Sequence, residues 1–171
     1  LMDITLKSTE TLEFNKIKEE LSKFAKFEQS KRLCQKAKLF DEPSKIEEQL
    51  NLTDEAKQIL DYAKDTPTEY IADIARIRAN SAVTYLSEVE LIDIAKTMKS
   101  SRILKKFITE NSDDESLMRS FVSELIAERD IEEKIFDTFD ESMNIRQNAT
   151  PELKGLYASL RDTEQNIKDT V

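Results

Sequence analysis

The sequence has very few of the residues that tight turns require, with one glycine and three prolines among 171 residues. Glycine supplies the positive φ angles of tight hairpins and phosphate-cradling loops, so those structures are largely excluded. Histidine and tryptophan are absent. Without histidine, a nucleophile would have only a carboxylate or a lysine as its base. The composition therefore predicts helices joined by polar connections, without a catalytic site.

Cysteine is almost absent too, since Cys34 is the only one. A disulfide within the chain and a cysteine-based zinc site are therefore excluded. Cys34 has apolar neighbours at helical spacing, so we expect a small core residue there. No apolar run approaches the roughly 20 residues that span a bilayer. We expect a cytoplasmic protein with no membrane partner.

Charge is abundant but unevenly placed. The net charge is −9, and 36% of the residues are charged. Between Lys16 and Lys38 there are eight Lys/Arg against three Glu, whereas between Glu110 and Glu141 there are twelve Asp/Glu against three Lys/Arg. Nucleic-acid-binding domains usually present a positive surface that releases counterions from phosphates. This chain alone is therefore expected to bind DNA weakly.

Apolar residues recur at helical spacing in the first 40 residues. One stripe predicts an amphipathic helix over residues 9–27 with its apolar face inward. Its members are Phe14, Ile17, Leu21 and Phe24. A second stripe predicts a helix that ends near Pro43, because proline disfavours the α conformation in the preceding residue. Its members are Leu33, Ala37 and Phe40.

Three capping boxes predict the next helix starts, each with a serine three residues before a glutamate. They are Ser44 with Glu47, Ser87 with Glu90, and Ser112 with Glu115. The first helix is expected to run to about Lys64, and residues 70–79 are expected to form a short helix or turn. The third box is expected to lead through Leu117 to Phe139, followed by a polar loop over residues 140–149.

The last helix has the clearest start. Thr150, Pro151 and Glu152 combine a hydroxyl cap, a proline whose missing N–H costs nothing, and an acid at the positive end of the helix dipole. The apolar seam that follows resembles a coiled-coil stripe. It consists of Leu153, Leu156, Leu160 and Ile167. Because the seam still runs at Val171, we expect a long C-terminal helix that is truncated.

Two basic groups are candidates for nucleic-acid contact. The first lies on the helix that starts at Ser87, and any surface helix shows such a stripe opposite its apolar face. It consists of Lys96, Lys99, Arg102, Lys105 and Lys106. The second could instead meet the acidic segment 110–141, within the fold or across a dimer. It consists of Lys23, Lys26, Lys31, Arg32, Lys36 and Lys38.

An acidic cluster is the only candidate for a metal site. Pairs at i, i+4, such as Glu128 and Glu132, share a helix face and could bind a divalent cation. Di-metal helical bundles also require Glu-x-x-His motifs. The cluster, which consists of Glu128, Asp130, Glu132, Glu133 and Asp137, is therefore expected to be a solvated face, and no metal, cofactor or catalytic residue is assigned.

The order of these features resembles the N-terminal region of the second bacterial branch of the MutS family, whose members typically carry a C-terminal Smr domain. The resemblance is collinear over essentially the whole chain. Its segments are residues 11–14 with Ile17 and Leu21, residues 30–33, residues 53–56, residues 71–74, residues 86–91, residues 102–107 and residues 148–153.

The resemblance implies an all-α core and lever bundle whose long C-terminal helix is truncated before the clamp. Residues 1–149 would form the helical core region, and residues 150–171 would start the lever. The parent protein would be a homodimeric ATPase and endonuclease that binds ATP and Mg²⁺, branched DNA and collided ribosomes, and suppresses homologous recombination. No G-x-x-x-x-G-K-[S/T] loop occurs in these residues, so ATP hydrolysis would lie downstream.

These expectations make the chain a non-catalytic segment that couples a downstream ATPase to a nucleic-acid clamp, with the C-terminal seam as its structural element. The alternative is a stand-alone helical adaptor that binds partner helices through an exposed groove. A third possibility is a metal-dependent enzyme that uses the acidic cluster. It would show a rise in melting temperature with calcium or manganese.

Overall fold

The computed structural model describes residues 11–63, 66–81, 85–125 and 128–170, and it is all-α as predicted. The helices within these residues are α1 (Phe14–Phe24), α2 (Glu28–Gln35), α3 (Pro43–Ala63), α4 (Ile74–Ser81), α5 (Glu88–Glu110), α6 (Leu117–Ser123), α7 (Arg129–Thr138) and α8 (Pro151–Thr170). Among the described residues, extended pairing is limited to one isolated bridge between Phe139 and Ile145.

The chain divides into two compact units. The first unit contains Leu1–Asp73 and Ser100–Ile126, and the second contains Ile74–Lys99 and Ala127–Val171. The division falls inside α5, which contributes residues to both units. The functional boundary expected at residues 149 and 150 stays a prediction.

The core of the first unit lies where α3, α5 and α6 meet. Ile59, Ile108 and Val122 are its buried residues, one from each helix. Leu104, Phe107, Met118 and Leu125 pack against them as partly buried neighbours. Burial of these side chains fixes α6, which with seven residues is too short to be helical alone.

The expectation that the stripe of α1 faces inward is wrong. Phe14 is half-buried, but Ile17, Leu21 and Phe24 are exposed. α1 is also shorter than predicted, since it begins at Phe14 and ends at Phe24, whereas residues 9 and 10 lie outside the described residues. Helical periodicity identified the apolar face correctly, but it cannot show what covers that face.

Two other predicted boundaries are wrong. α2 ends at Gln35 rather than near Pro43, and its last turn tightens, since the amides of Lys36 and Ala37 donate three residues back to the carbonyls of Leu33 and Cys34. Leu33 and Phe40, which were expected on one helix face, are both exposed. α3 begins at Pro43, where a missing N–H costs nothing, so Ser44 lies inside the first turn and does not cap the helix.

The capping box at Ser87 is confirmed. The backbone N–H and the hydroxyl of Ser87 both donate to Glu90 Oε2, at 3.0 and 2.9 Å, and the amide of Glu90 donates to Ser87 Oγ at 3.4 Å. The box predicted at Ser112 is wrong. Its hydroxyl donates to the Ile108 carbonyl at the end of α5, and Ser116 caps α6 by accepting from the Arg119 amide.

The second unit contains α4, the first half of α5, α7 and α8. Ile77, Ile92, Ala95 and Phe139 are its buried hydrophobic residues. α4 occupies Ile74–Ser81, later than the expected range of 70–79. The described part of the stretch from Ser112 to Phe139 contains two helices, α6 and α7.

A braced turn connects α7 to α8, and residues 140–149 are non-helical as predicted. Asp140 Oδ1 accepts from the amides of Ser142 and Asn144, both at 2.9 Å, which is the usual way an aspartate stabilises a turn. Met143 has a φ of 64°, the left-handed conformation that such a turn requires. Arg146 Nε donates to the Phe139 carbonyl at 2.7 Å and closes the turn.

Candidate functional site

The C-terminal seam is the candidate with the clearest structural basis. α8 begins as predicted, because Thr150 Oγ1 accepts from the Leu153 amide at 3.1 Å and Pro151 opens the helix. Leu153 is half-buried, whereas Leu156, Leu160 and Ile167 are 68%, 52% and 60% exposed. The seam therefore faces solvent over most of its length, with the polar Thr163 between Leu160 and Ile167.

The foot of α8 is held by the turn that precedes it. Arg161 Nη2, three turns into the helix, donates to Gln147 Oε1. Together with the Thr150 cap, this contact restricts the direction in which α8 leaves the turn. The seam is thus an apolar surface on a helix whose start is held in place by side-chain contacts.

The basic stripe of α5 is only partly available to a ligand. Lys96, Lys99 and Lys106 are exposed, and Lys106 lies 3.7 Å from Glu110 in a solvent-facing ion pair. Arg102 and Lys105 are half-buried. The assignment of this stripe as a possible nucleic-acid contact stays a prediction.

Lys105 has a structural task. Its ammonium donates to the carbonyls of Ser123 and Leu125, both at 2.8 Å, at the C-terminal end of α6. These carbonyls lack partners inside the helix and carry its partial negative charge, so a cation is favourable there. Lys105 therefore closes α6, and a phosphate would have to compete with that contact.

The opposite end of α6 is closed by Glu55, a residue for which the sequence offered no signal. Its carboxylate accepts from the Ser116 hydroxyl at 2.6 Å, the Met118 amide at 2.9 Å and the Leu117 amide at 3.2 Å. The hydrogen bond from Ser116, followed by those from Met118 and Leu117, lowers the pKa of Glu55 against the opposing effect of burial. α6 is thus held by an anion at its N-terminus and a cation at its C-terminus.

An open cavity of about 740 Å³ lies beside the N-terminus of α6. Its lining includes Glu55, Tyr62 and the connection formed by residues 110–116. Four acidic side chains in that connection give the cavity a negative wall, namely Glu110, Asp113, Asp114 and Glu115. Such a wall repels nucleic-acid phosphates.

The second basic group takes its partners outside the acidic segment 110–141. Lys23 pairs with Glu20 and Lys31 with Glu28, both within one helical turn. Lys26 donates to the Thr68 carbonyl at 2.6 Å, and Arg32 pairs with Asp73 at 3.0 Å. Lys36 and Lys38 are exposed. The contact with the acidic segment across a dimer stays a prediction.

The acidic cluster is solvent-exposed as expected at Glu128, Asp130, Glu133 and Asp137, but not at Glu132. Glu132 is buried, at 4% exposure, whereas Glu133 forms an ion pair with Arg129 at 2.6 Å. Asp130 and Asp137 line an open groove with Lys134. Across the described ranges, no three His, Cys, Asp or Glu side chains are grouped closely enough to hold a metal ion.

Cys34 is half-buried on α2, so its expected place in the core is wrong. The helix that carries it lies at the surface, and its apolar neighbour Leu33 is 70% exposed. Within the part of the chain that is described, no helix is long and apolar enough to cross a membrane.

Comparison with known proteins identifies relatives of much greater length. The chain is 27% identical over 162 residues to a Bacillus cereus protein named endonuclease MutS2. The aligned region covers 92% of this chain and 21% of that protein. Proteins of the same name from Bacillus thuringiensis and Bacillus anthracis are 26% identical with the same coverage. The chain spans about a fifth of the length of these curated relatives. No family model and no solved structure matches it.

Proposed function

We propose, from the premise that this chain is related to the MutS2 endonucleases across nearly its whole length, that it is a non-catalytic helical core and lever segment of such a protein. Its role is to transmit the nucleotide state of an ATPase elsewhere in the parent chain to a clamp that grips nucleic acid. The parent protein is a homodimer that acts on branched DNA and collided ribosomes and suppresses homologous recombination.

The observation that carries this proposal is the exposed seam of α8, a helix whose start is held by the Thr150 cap and the contact between Arg161 and Gln147. An amphipathic helix gains most of its stability by packing its apolar face. Leu156, Leu160 and Ile167 leave that face in water, so the seam is suited to a second helix packed alongside it. A rigid helix packed in this way transmits rotation between two discrete arrangements of its neighbours.

The share of the relatives that this chain covers supports the same proposal. About four-fifths of each relative lies outside the matched region, which leaves room for an ATPase, a clamp and a nuclease domain. The sequence of this chain offers no phosphate-binding loop of its own. ATP and Mg²⁺ are accordingly assigned to the rest of the parent protein.

A matched pair of substitutions in the full parent protein tests the coupling. Leu160→Asp places a charge in the seam, whereas Ala158→Asp places the same charge at an exposed position on the opposite side of α8. ATP hydrolysis and the release of branched DNA on adding ATP are measured for both. We expect Leu160→Asp to retain hydrolysis and lose ATP-dependent release, and Ala158→Asp to retain both.

Two results would overturn the proposal. One is a Leu160→Asp protein that releases DNA on adding ATP as the unmodified protein does. The other is a natural gene that stops at Val171, which would favour the stand-alone adaptor, because no ATPase would then be attached. Circular dichroism of the two variants checks that the substitutions leave the helix content unchanged.

A further inference from the structure

A second apolar surface, on α1, faces solvent and is not part of the seam. We define the α1 stripe as Ile17, Leu21 and Phe24, which are 59%, 50% and 87% exposed. These residues recur at steps of four and three, so they lie on one side of the helix. Phe14 lies at the start of the same side, with the ammonium of Lys18 5.4 Å from its ring centre.

The α1 stripe is held in a fixed position rather than carried on a loose end. α1 packs against α2, and α2 is joined by side-chain contacts to the non-helical segment that precedes α4. Gln29 donates to the Ala72 carbonyl at 2.7 Å, and Arg32 pairs with Asp73 at 3.0 Å. Lys26, between the two helices, donates to the Thr68 carbonyl at 2.6 Å.

The exposed α1 stripe is one of several exposed apolar regions among the described residues. Among the described residues, 23 large hydrophobic side chains are exposed, whereas eight hydrophobic residues are buried. Single exposed apolar residues are ordinary in soluble proteins, but contiguous stripes on a rigid helix usually mark an interaction site. The α1 stripe is contiguous, so it is a candidate interaction surface.

The charge around the stripe restricts the chemistry of that cover. The segment from Lys16 to Lys38 carries eight basic and three acidic residues, and when Glu13 and Asp73 are counted, which pair with Lys16 and Arg32, the excess is still +3 in a chain whose total is −9. Side chains in this segment remain largely in water even where they form ion pairs, as Lys16 and Lys23 show at 71% and 66% exposure. A partner with acidic flanks would gain favourable electrostatic contacts at the rim.

We propose that the α1 stripe is the docking site for an acidic amphipathic helix supplied by the part of the parent protein that lies outside these 171 residues. This inference rests on the proposed function, since it requires a longer parent chain, and the relatives provide about four times this length of additional sequence. The helix lays its apolar face on Ile17, Leu21 and Phe24, and its carboxylates face the lysines of α1 and α2.

Photo-cross-linking in the full parent protein tests this assignment. The photoreactive amino acid p-benzoylphenylalanine replaces Phe24, which is exposed enough for the larger ring to fit. A second protein carries it in place of Asn15, an exposed residue on the polar side of α1. Unlabelled and isotope-labelled protein are mixed before assembly and then irradiated. Peptide mass spectrometry identifies the cross-linked partner, and the isotope pattern shows whether the partner belongs to the same molecule.

We expect the probe at Phe24 to react with an acid-rich helical peptide outside the 171 residues, and the probe at Asn15 to show no such product. Adding Leu21→Asp should lower the yield about tenfold, since it places a charge in the centre of the contact. Products within the 171 residues, with a second copy at the same stripe, or with bound nucleic acid would each overturn the assignment, as would no product. The DNA-release test on Leu160→Asp is independent of this result, so failure of the docking site and failure of the lever remain distinguishable.

Discussion

Removing the carboxylate of Glu55 should detach α6 from the first unit. Glu55 accepts three hydrogen bonds at the N-terminus of a helix that has only seven residues. Loss of an N-terminal cap costs about 1 kcal/mol, and loss of a negative charge near the helix dipole adds about 0.3–1 kcal/mol. Because Glu55 is partly exposed to water, we expect Glu55→Ala to lower the free energy of unfolding by about 1.5 kcal/mol.

Glu48→Ala is the matched control. Glu48 lies on the same helix, α3, and is exposed, so the substitution changes helix propensity equally without touching α6. It should change the free energy of unfolding by less than about 0.5 kcal/mol. Urea unfolding followed by circular dichroism gives the energies, and hydrogen exchange at residues 117–123 locates the effect in α6. Equal unfolding energies for the two variants would refute the role assigned to Glu55.

The pH dependence provides a second check on the same residue. Hydrogen bonds from Ser116, Met118 and Leu117 lower the pKa of Glu55 below its ordinary value of 4.5. A lowered pKa means that the stabilisation is fully present above pH 4.5 and is lost as the pH falls through the folded-state pKa. The stability difference between the unmodified protein and Glu55→Gln should therefore be constant near neutral pH and shrink below pH 4.5. A difference that grows on acidification would contradict this account.

Three further substitutions test other contacts, each measured by urea unfolding. Gly155→Ala should stabilise the protein by about 0.5–1 kcal/mol, because a Cβ there meets nothing within 4 Å and glycine is unfavourable inside a helix; a loss of stability would show that the space is not open. Thr150→Ala should cost about 1 kcal/mol and increase hydrogen exchange at the start of α8, whereas unchanged exchange would remove the cap from the account. Lys105→Met should destabilise by about 1 kcal/mol through its lost carbonyl contacts, and the exposed Lys106→Met should be nearly neutral; equal effects would contradict the closing role of Lys105.

Features encoded by neighbouring residues were predictable in part, since the capping boxes expected at Ser44 and Ser112 do not form. The Ser87 capping box and the Thr150 start of α8 depend on residues within one turn of each other, and both occur as predicted. The cap that Glu55 places on α6 was not predictable in this way. Glu55 and Ser116 are 61 residues apart, and only the packing of α3 on α6 brings them together.

Periodicity was similarly informative about faces but not about burial. It identified the apolar side of α1 and the seam of α8, yet both lie largely in water. A stripe of apolar residues shows that a helix needs a neighbour, whereas the neighbour itself is specified by sequence elsewhere. Sequence spacing was also insufficient for the nucleic-acid contact expected on α5. It placed Lys105 in a basic stripe, but it could not reveal that Lys105 donates to carbonyls at the end of α6.

The hydrogen bond between Arg161 and Gln147 at the base of α8 limits how far the other end of that helix can move when the helix tilts. A helix of 20 residues is about 30 Å long, so a tilt of about 10° at its base displaces its tip by about 5 Å, close to one helical pitch. Gln147 and Arg161 limit that tilt from a single side, at the first three turns. Small changes in the turn that holds Gln147 would thus be magnified along the helix, so that Ile167 near its tip would move sideways several times further than Leu153 near its base.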